Sequence, residues 1–424
     1  MPRSPISLRD VITVARNLVG TLVQSRTFSS LHYRNYRLLW TGTLVSHSGD
    51  WMDQLALNWL VLELTGSPFY LGLVNFCRAI PILLFTLIGG VVADRVERRK
   101  LLMVTQTGAM LLAFLLAFLV SSGLVTVWQI LAIAALRGLM MSFNLPARQT
   151  IISDLVPRHS LANAIALNSV TMSLTKIVGP SLGGVLISLI GTAGCFYVNG
   201  LSFLAVLWTL HAMDIPRVDR GSIALSVRQS LGEGLGYIRS QPTVSLLVTV
   251  AVVPMFFGMP YQTMLAVFAR DVLAIGAAGL GVLTSAVAVG AFVGGLSLAS
   301  LASSAPRGKI MLVALTSFGA LLIAFSYSSW PPLSVALLVG VGAMFTSYNA
   351  SNNALLQLIV PDEFRGRIVS TLFINRGLVP LGTALAGTLA VLIGIQLTVA
   401  SMAAIVTLLG ILALTMAPAL RKLR

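Results

Sequence analysis

Gly90-Val91-Val92-Ala93-Asp94-Arg95-Val96-Glu97-Arg98-Arg99-Lys100 separates two long apolar runs and carries six charges within seven residues. A charge knot this dense stays out of hydrocarbon, whereas each flanking run has about the 20 residues a helix needs to cross a bilayer. The stretch reads as the inner edge of a membrane hairpin, the place where Lys and Arg accumulate.

Composition agrees. Of the 424 residues 56% are hydrophobic and only 10% charged, and the mean hydropathy is +0.91. A soluble domain carries roughly 25% charged residues, so the chain is an integral membrane protein. The net charge of +15 follows from topology rather than from nucleic-acid binding. Apart from Arg78, Arg137, Lys176 and Arg376 inside apolar runs, and Arg270 near an opposite loop, the lysines and arginines fall in the termini and alternate loops. That bias puts both termini in the cytoplasm. Cys77 and Cys195 sit in apolar runs and read as packing residues, with no metal or disulfide framework.

Apolar runs cover 38–62, 69–93, 101–121, 125–147, 161–190, 194–214, 243–270, 275–302, 309–329, 332–357, 368–393 and 395–417. Twelve spans with both ends inside satisfy the charge bias. The expected fold is all-α, with twelve transmembrane helices in two six-helix bundles, 36–214 and 242–417. Residues 1–35 form a cytoplasmic segment without the apolar core of a signal peptide. Ser7 and Asp10 form a capping box there, and Leu8, Val11, Ile12, Ala15, Val19 and Leu22 share one face, which predicts a helix lying on the inner membrane surface. The linker 215–241 carries a second capping box, Ser226 and Gln229, and an interfacial helix; 418–424 is a cytoplasmic tail. Leu155-Val156-Pro157-Arg158 is echoed by Ile359-Val360-Pro361-Asp362 about 200 residues on, which points to a duplicated six-helix unit.

The first span holds the most chemistry. At about 100° per residue, Thr43, Ser46, His47, Asp50, Asp53, Gln54 and Asn58 fall within an arc of about 140°. A carboxylate at bilayer depth costs roughly 3 kcal/mol or more unless it meets water or a cation. A carboxylate in such a cavity takes up and releases protons near neutral pH. Asp50 and Asp53 are therefore candidate proton-coupling residues, with a static ion pair, for instance to Arg78, as the structural alternative. Other polar groups at span depth are candidates for a cavity wall: His47, Gln54, Arg78, Lys176, Tyr261, Gln262, Asn349, Asn352, Asn375 and Arg376. The cations among them favour an anionic substrate, unless each pairs internally.

The opening stretch, a glycine, three residues, Asp-Arg and then three further cations, resembles the loop between helices 2 and 3 of the major facilitator superfamily. Arg137-Gly138 resembles that superfamily's helix 4 arginine motif, which implies a coupling or charge-balancing role for Arg137. Gly179-Pro180-Ser181-Leu182-Gly183-Gly184 is similar to the helix 5 signature of its antiporters, which implies export in exchange for protons. Tyr33-Arg34-Asn35-Tyr36-Arg37-Leu38-Leu39-Trp40, Ser48-Gly49-Asp50 and Leu64-Thr65-Gly66-Ser67-Pro68 resemble the branch containing the enterobactin exporter and the macrolide-efflux proteins, the transmembrane secretion effectors. The resemblance assigns a conformational gate to Gly90, Asp94, Arg95, Arg98 and Lys100, and to Gly179, Pro180, Gly183 and Gly184. The chain departs from the loop pattern at Glu97, where many members carry glycine.

The expectation is a secondary transporter of the bacterial cytoplasmic (inner) membrane that exports a small amphipathic molecule, such as a siderophore or drug, against protons by alternating access. A facilitator, importer or lipid flippase uses the same fold, and a non-transporting receptor is a remoter reading. Enzyme chemistry finds no support: no His is followed five residues on by Asp, and Gly308-Lys309-Ile310 is not a P-loop. No pattern calls for a cofactor or a named outer-membrane exit partner, and a monomer is expected.

Overall fold

The computed structural model describes residues 26–213, 236, 238–301, 306–421 and 423, with the backbone alone at 26–27, 87, 94, 149–150, 362–376 and 419. The surface helix expected at 7–22 and nearly all of the linker 215–241 lie outside the described residues. Twelve rods follow one another: α1 (Arg34–Thr65), α2 (Pro68–Arg95), α3 (Arg98–Ser121), α4 (Val127–Leu155), α5 (158–190), α6 (192–212), α7 (Pro242–Val272), α8 (Gly276–Ala299), α9 (Arg307–Ser326), α10 (Pro331–Ile359), α11 (Asp362–Ile393) and α12 (Ile395–Met416). The starts and stops are local chemistry. Thr126 and Gln129 cap α4 reciprocally. Proline opens α2, α7 and α10, where a missing N–H leaves no partner unmet. Gly66, with φ 62°, closes α1 in the left-handed region. Between α5 and α6 the chain turns on Gly191 alone (φ 71°), and between α11 and α12 on Gly394 (φ 83°).

The fourth helix continues past 147 to Leu155, so Arg148 lies inside it rather than in a loop. The helix stops where Pro157 disfavours α conformation in Val156, and the charge at Arg148 ends nothing. Likewise α11 begins at Asp362 rather than 368.

In the first bundle α1 packs on the α5–α6 pair, α2 on α4, and α3 on α4 and α6; in the second α8 packs on α10, α9 on α10 and α12, and α11 on α12, with α7 among them. A ladder of rings, Tyr261, Phe318, Phe345 and Tyr348, with successive centroids 6.3, 5.3 and 5.9 Å apart, fills the second bundle. The bundles meet along α5–α8 and α2–α11, toward the end that carries the short loops at Gly66, Gly191 and Gly394. There the backbones touch: a Cβ on Gly281 would sit 2.6 Å from the Pro180 oxygen, and one on Gly72 2.8 Å from the Thr383 oxygen. The Ser285 hydroxyl donates to the Ile177 carbonyl at 3.0 Å, and Arg270 Nη1 donates to the Leu62 carbonyl at 2.6 Å. At the opposite, basic end, a Cβ on Gly90 would meet nothing within 4 Å.

Gly281→Val should force this seal apart. In a Cys77→Ala, Cys195→Ala background, labelling of Thr383→Cys by a membrane-impermeant maleimide should rise several-fold when Gly281→Val is added.

Candidate functional site

The polar face of α1 points into its own bundle. Gly138 makes this arrangement: a Cβ there would lie 2.0 Å from the Arg78 carbonyl oxygen, so α2 and α4 approach backbone to backbone. That contact brings Arg78 beside Arg137, the residue before Gly138. On the other flank, Gly179 and Gly183 of α5 face Ser48, Trp51 and Met52 of α1, while Gly184 faces Ala277 and Gly281 of α8. The Gly-Pro-x-x-Gly-Gly run thus clamps the acidic segment on one side and forms the bundle seal on the other. Pro180 is buried within it.

Asp53 is 2% exposed and pairs with Arg137 Nη1 through Oδ2. Among the described residues its Oδ1 has no hydrogen-bond partner. The cation beside this carboxylate is Arg137, not the Arg78 that the sequence suggested. Asp50, one turn away, is 30% exposed. Its neighbour His47 contacts Arg148 Nη1 through Nε2. A guanidinium only donates, so Nε2 accepts and the ring proton sits on Nδ1. That nitrogen lies 3.8 Å from Asp50 Oδ2, a contact rather than a hydrogen bond. Among the described residues Arg78 makes no hydrogen bond or ion pair. Three guanidiniums therefore face two carboxylates, one committed and one open.

These groups line a cavity of about 50 Å³ together with Thr105, Gln106, Asn144 and Phe203. One ordered water takes roughly 10–15 Å³ by the same measure, and drug-sized ligands occupy about 300–1,000 Å³. The space is the size of a few waters and well below that of a drug-sized pocket.

The other expected residues lie elsewhere. Lys176 stands 5.5 Å over the Trp51 ring, so its charge meets a π face. Gln54 joins Asn58 and Asn75 in a hydrogen-bonded group on α1 and α2. Gln262 is exposed on α7, whereas Tyr261, 3% exposed, belongs to the ring ladder. Asn349 and Asn353 bond across one turn of α10; Asn352 is 1% exposed, with Oδ1 unpaired among the described residues. The side chains of Asn375, Arg376 and Asp94 lie outside the described residues. In the basic loop Arg98 pairs with Asp154 at the end of α4, Lys100 with Glu97 at 3.1 Å, and Arg95 is exposed. Sequence reading missed Arg148, Asn75 and Asp154. The stop signal at Pro157 would have placed Arg148 and Asp154 on α4; Asn75, a lone amide in an apolar run, carried none.

The sequence profile of the transmembrane secretion effectors matches residues 25–423. The chain belongs to this family of the major facilitator superfamily. It is 26% identical to the staphyloferrin A transporter of Staphylococcus aureus over 82% of this chain and 88% of the relative. It is also 26% identical to the multidrug efflux pump Tap of Mycolicibacterium fortuitum (91% and 96% covered). Macrolide efflux protein A of Streptococcus pyogenes is 24% identical (86% and 92% covered). Among solved structures, the nucleoside transporter NupG superposes with a TM-score of 0.68 at 14% identity (91% and 99% covered). A bacterial homologue of the iron transporter ferroportin gives 0.69 at 16% (89% and 98% covered). The chain is a multi-pass membrane transporter for small molecules, not an enzyme.

Removing one member of a buried ion pair strands the other and costs about 3–5 kcal/mol. Asp53→Ala should lower stability by that order, and Asp50→Asn, at a half-open carboxylate, by less than about 1 kcal/mol. Unfolding of the detergent-solubilised variants followed by tryptophan fluorescence checks the contrast.

Proposed function

We propose that the chain is a proton-coupled exporter of a small amphipathic molecule, with Asp50 as the exchanging carboxylate. The observation that carries this reading is the division of labour on α1: Asp53 is held by Arg137, while Asp50 faces the water-sized cavity. A proton on Asp50 leaves three guanidiniums opposite one carboxylate. That excess of like charge favours rearrangement of α1 against α2 and α4, and loss of the proton restores the balance. A group that must alternate in this way needs to be at depth, half-open and free of a tight partner. Asp50 has all three properties.

The positive-inside bias puts the basic end and both termini in the cytoplasm of a bacterial cell, the membrane being the cytoplasmic one. With the short-loop end sealed, this is then the inward-facing arrangement. The cargo enters the cleft between the bundles from the cytoplasm, and rocking of the bundles about α2–α11 and α5–α8 delivers it outside. Efflux relatives and the helix 5 run support that direction, and the siderophore, macrolide and multidrug transporters among the relatives suggest cargo of that amphipathic kind. The monomer is the working unit, since the cavity, the seal and the cleft lie within one chain.

The test is accumulation of siderophores, macrolides and cationic dyes in cells carrying the wild type or Asp50→Asn, with and without a protonophore. Lower accumulation of at least one compound is expected in wild-type cells, lost in the variant and lost on uncoupling, at equal protein levels. Full export by Asp50→Asn would remove Asp50 from the mechanism.

A further inference from the structure

Above the charge cluster, α1 and α2 share three amides. Asn75 Nδ2 donates to the Leu71 carbonyl at 2.9 Å and to Asn58 Oδ1 at 3.1 Å; Gln54 Nε2 donates to Asn58 Oδ1 at 3.2 Å and to Asn75 Oδ1 at 3.1 Å. Amide oxygen and nitrogen are interchangeable in shape, so a network must be oriented by a partner whose role is fixed. Here that partner is the Leu71 carbonyl, which can only accept. It sets Asn75 with Nδ2 toward α2's own backbone. Asn75 Oδ1 must then accept from Gln54, and Asn58 must present Oδ1 to both neighbours. No second arrangement satisfies every contact.

Each donor and acceptor inside the triad then has a fixed role. Both hydrogens of Gln54 Nε2, both hydrogens of Asn75 Nδ2 and both lone pairs of Asn58 Oδ1 are used. Left over are Gln54 Oε1, a pure acceptor, the Asn58 NH₂ group, a pure donor, and one lone pair on Asn75 Oδ1. Gln54, Asn58 and Asn75 are all half-buried, and neither leftover group is a buried atom without a partner. Amides do not face lipid at this depth without cost, so they open on water. Their position says which water. Gly72, one turn from Asn75, touches Thr383 of α11, and the α7 segment Tyr261–Val267 packs on both α1 and α2. The triad lies at the roof of the inter-bundle cleft, just below the seal.

We infer that Gln54, Asn58 and Asn75 form a cargo subsite for a neutral group with adjacent donor and acceptor, the carboxamide being the simplest. The cargo N–H donates to Gln54 Oε1, and its carbonyl accepts from Asn58 Nδ2. The hydrogen bonds inside the triad hold both groups in place before the cargo arrives, so little side-chain freedom is lost on binding. This inference rests on the exporter reading for the identity of the cleft, but it is a statement about recognition and not about protons.

The test separates the two. Two probes are compared on the purified detergent-solubilised protein: a rhodamine bearing a primary carboxamide and the same rhodamine as its methyl ester, which lacks the donor. One hydrogen bond at a half-exposed site is worth roughly a fivefold difference in apparent Kd, and the amide should bind the wild type tighter by about that factor. Asn58→Asp keeps the oxygen that accepts from Gln54 and Asn75 and replaces only the free NH₂. It should weaken both probes about equally, because each presents a carbonyl to Asn58, while the amide preference, which reads Gln54 Oε1, and the ligand-free unfolding temperature stay near those of the wild type. The wild-type comparison needs no variant, so a poorly folded Asn58→Asp does not rescue the idea. Indistinguishable results for the two probes, including no binding of either, overturn the subsite. Amide-selective binding without proton-linked flux in proteoliposomes leaves the subsite standing and removes the exporter reading; proton-linked flux of both probes without amide preference does the reverse.

Discussion

A carboxylate in the middle of a membrane protein must be answered by a cation, and the first bundle is arranged around one such answer, Asp53 to Arg137. The pair fixes the depth of α1 against α4. It also requires α4 to come close, which Gly138 permits by laying α4 on the Arg78 carbonyl. Arg78 and Arg148 then line the same cavity, Arg148 against His47. Glycines on α5 hold the other flank of the same segment. The pair and the glycine contacts around it thus bear on the positions of four helices, α1, α2, α4 and α5.

Among the described residues the second bundle has no counterpart. Where the first bundle sets charges along α1, α7 offers prolines, two π-turns and a ring that joins the aromatic ladder. The two halves share a backbone plan and differ in chemistry. The cavity that handles charge lies wholly within one half, apart from the cleft between the halves. Helix α1 joins the two polar groups: Asp50 and Asp53 line the charged cavity, and one turn on Gln54 and Asn58 bond to Asn75 of α2.

Much of this was legible in the residues. Long apolar runs and the alternation of basic loops specify the rods, because the bilayer sets their length and water rejects their charges. The polar arc of α1 was legible for the same reason. Which carboxylate is paired was not, since helical periodicity tells which side chains share a face but not the relative height of two helices. Arg137 was placed by resemblance; its bond to Asp53 needed coordinates. Arg148 misled because a cation after an apolar run looks like a membrane edge, while this one turns inward to His47. Asn75 is a single amide among apolar neighbours, and only its contacts with Gln54 and Asn58 give it meaning.

The joints at Gly191 and Gly394 are each one residue long. A linker this short has no slack. Helix α5, which touches the other bundle through Gly184 and Ser181, therefore moves with α6, whose Phe203 lines the charged cavity. The pair carries the seal on one helix and part of the cavity wall on the other. The seal contact at Gly184 and the cavity wall at Phe203 are thus joined through the single residue Gly191.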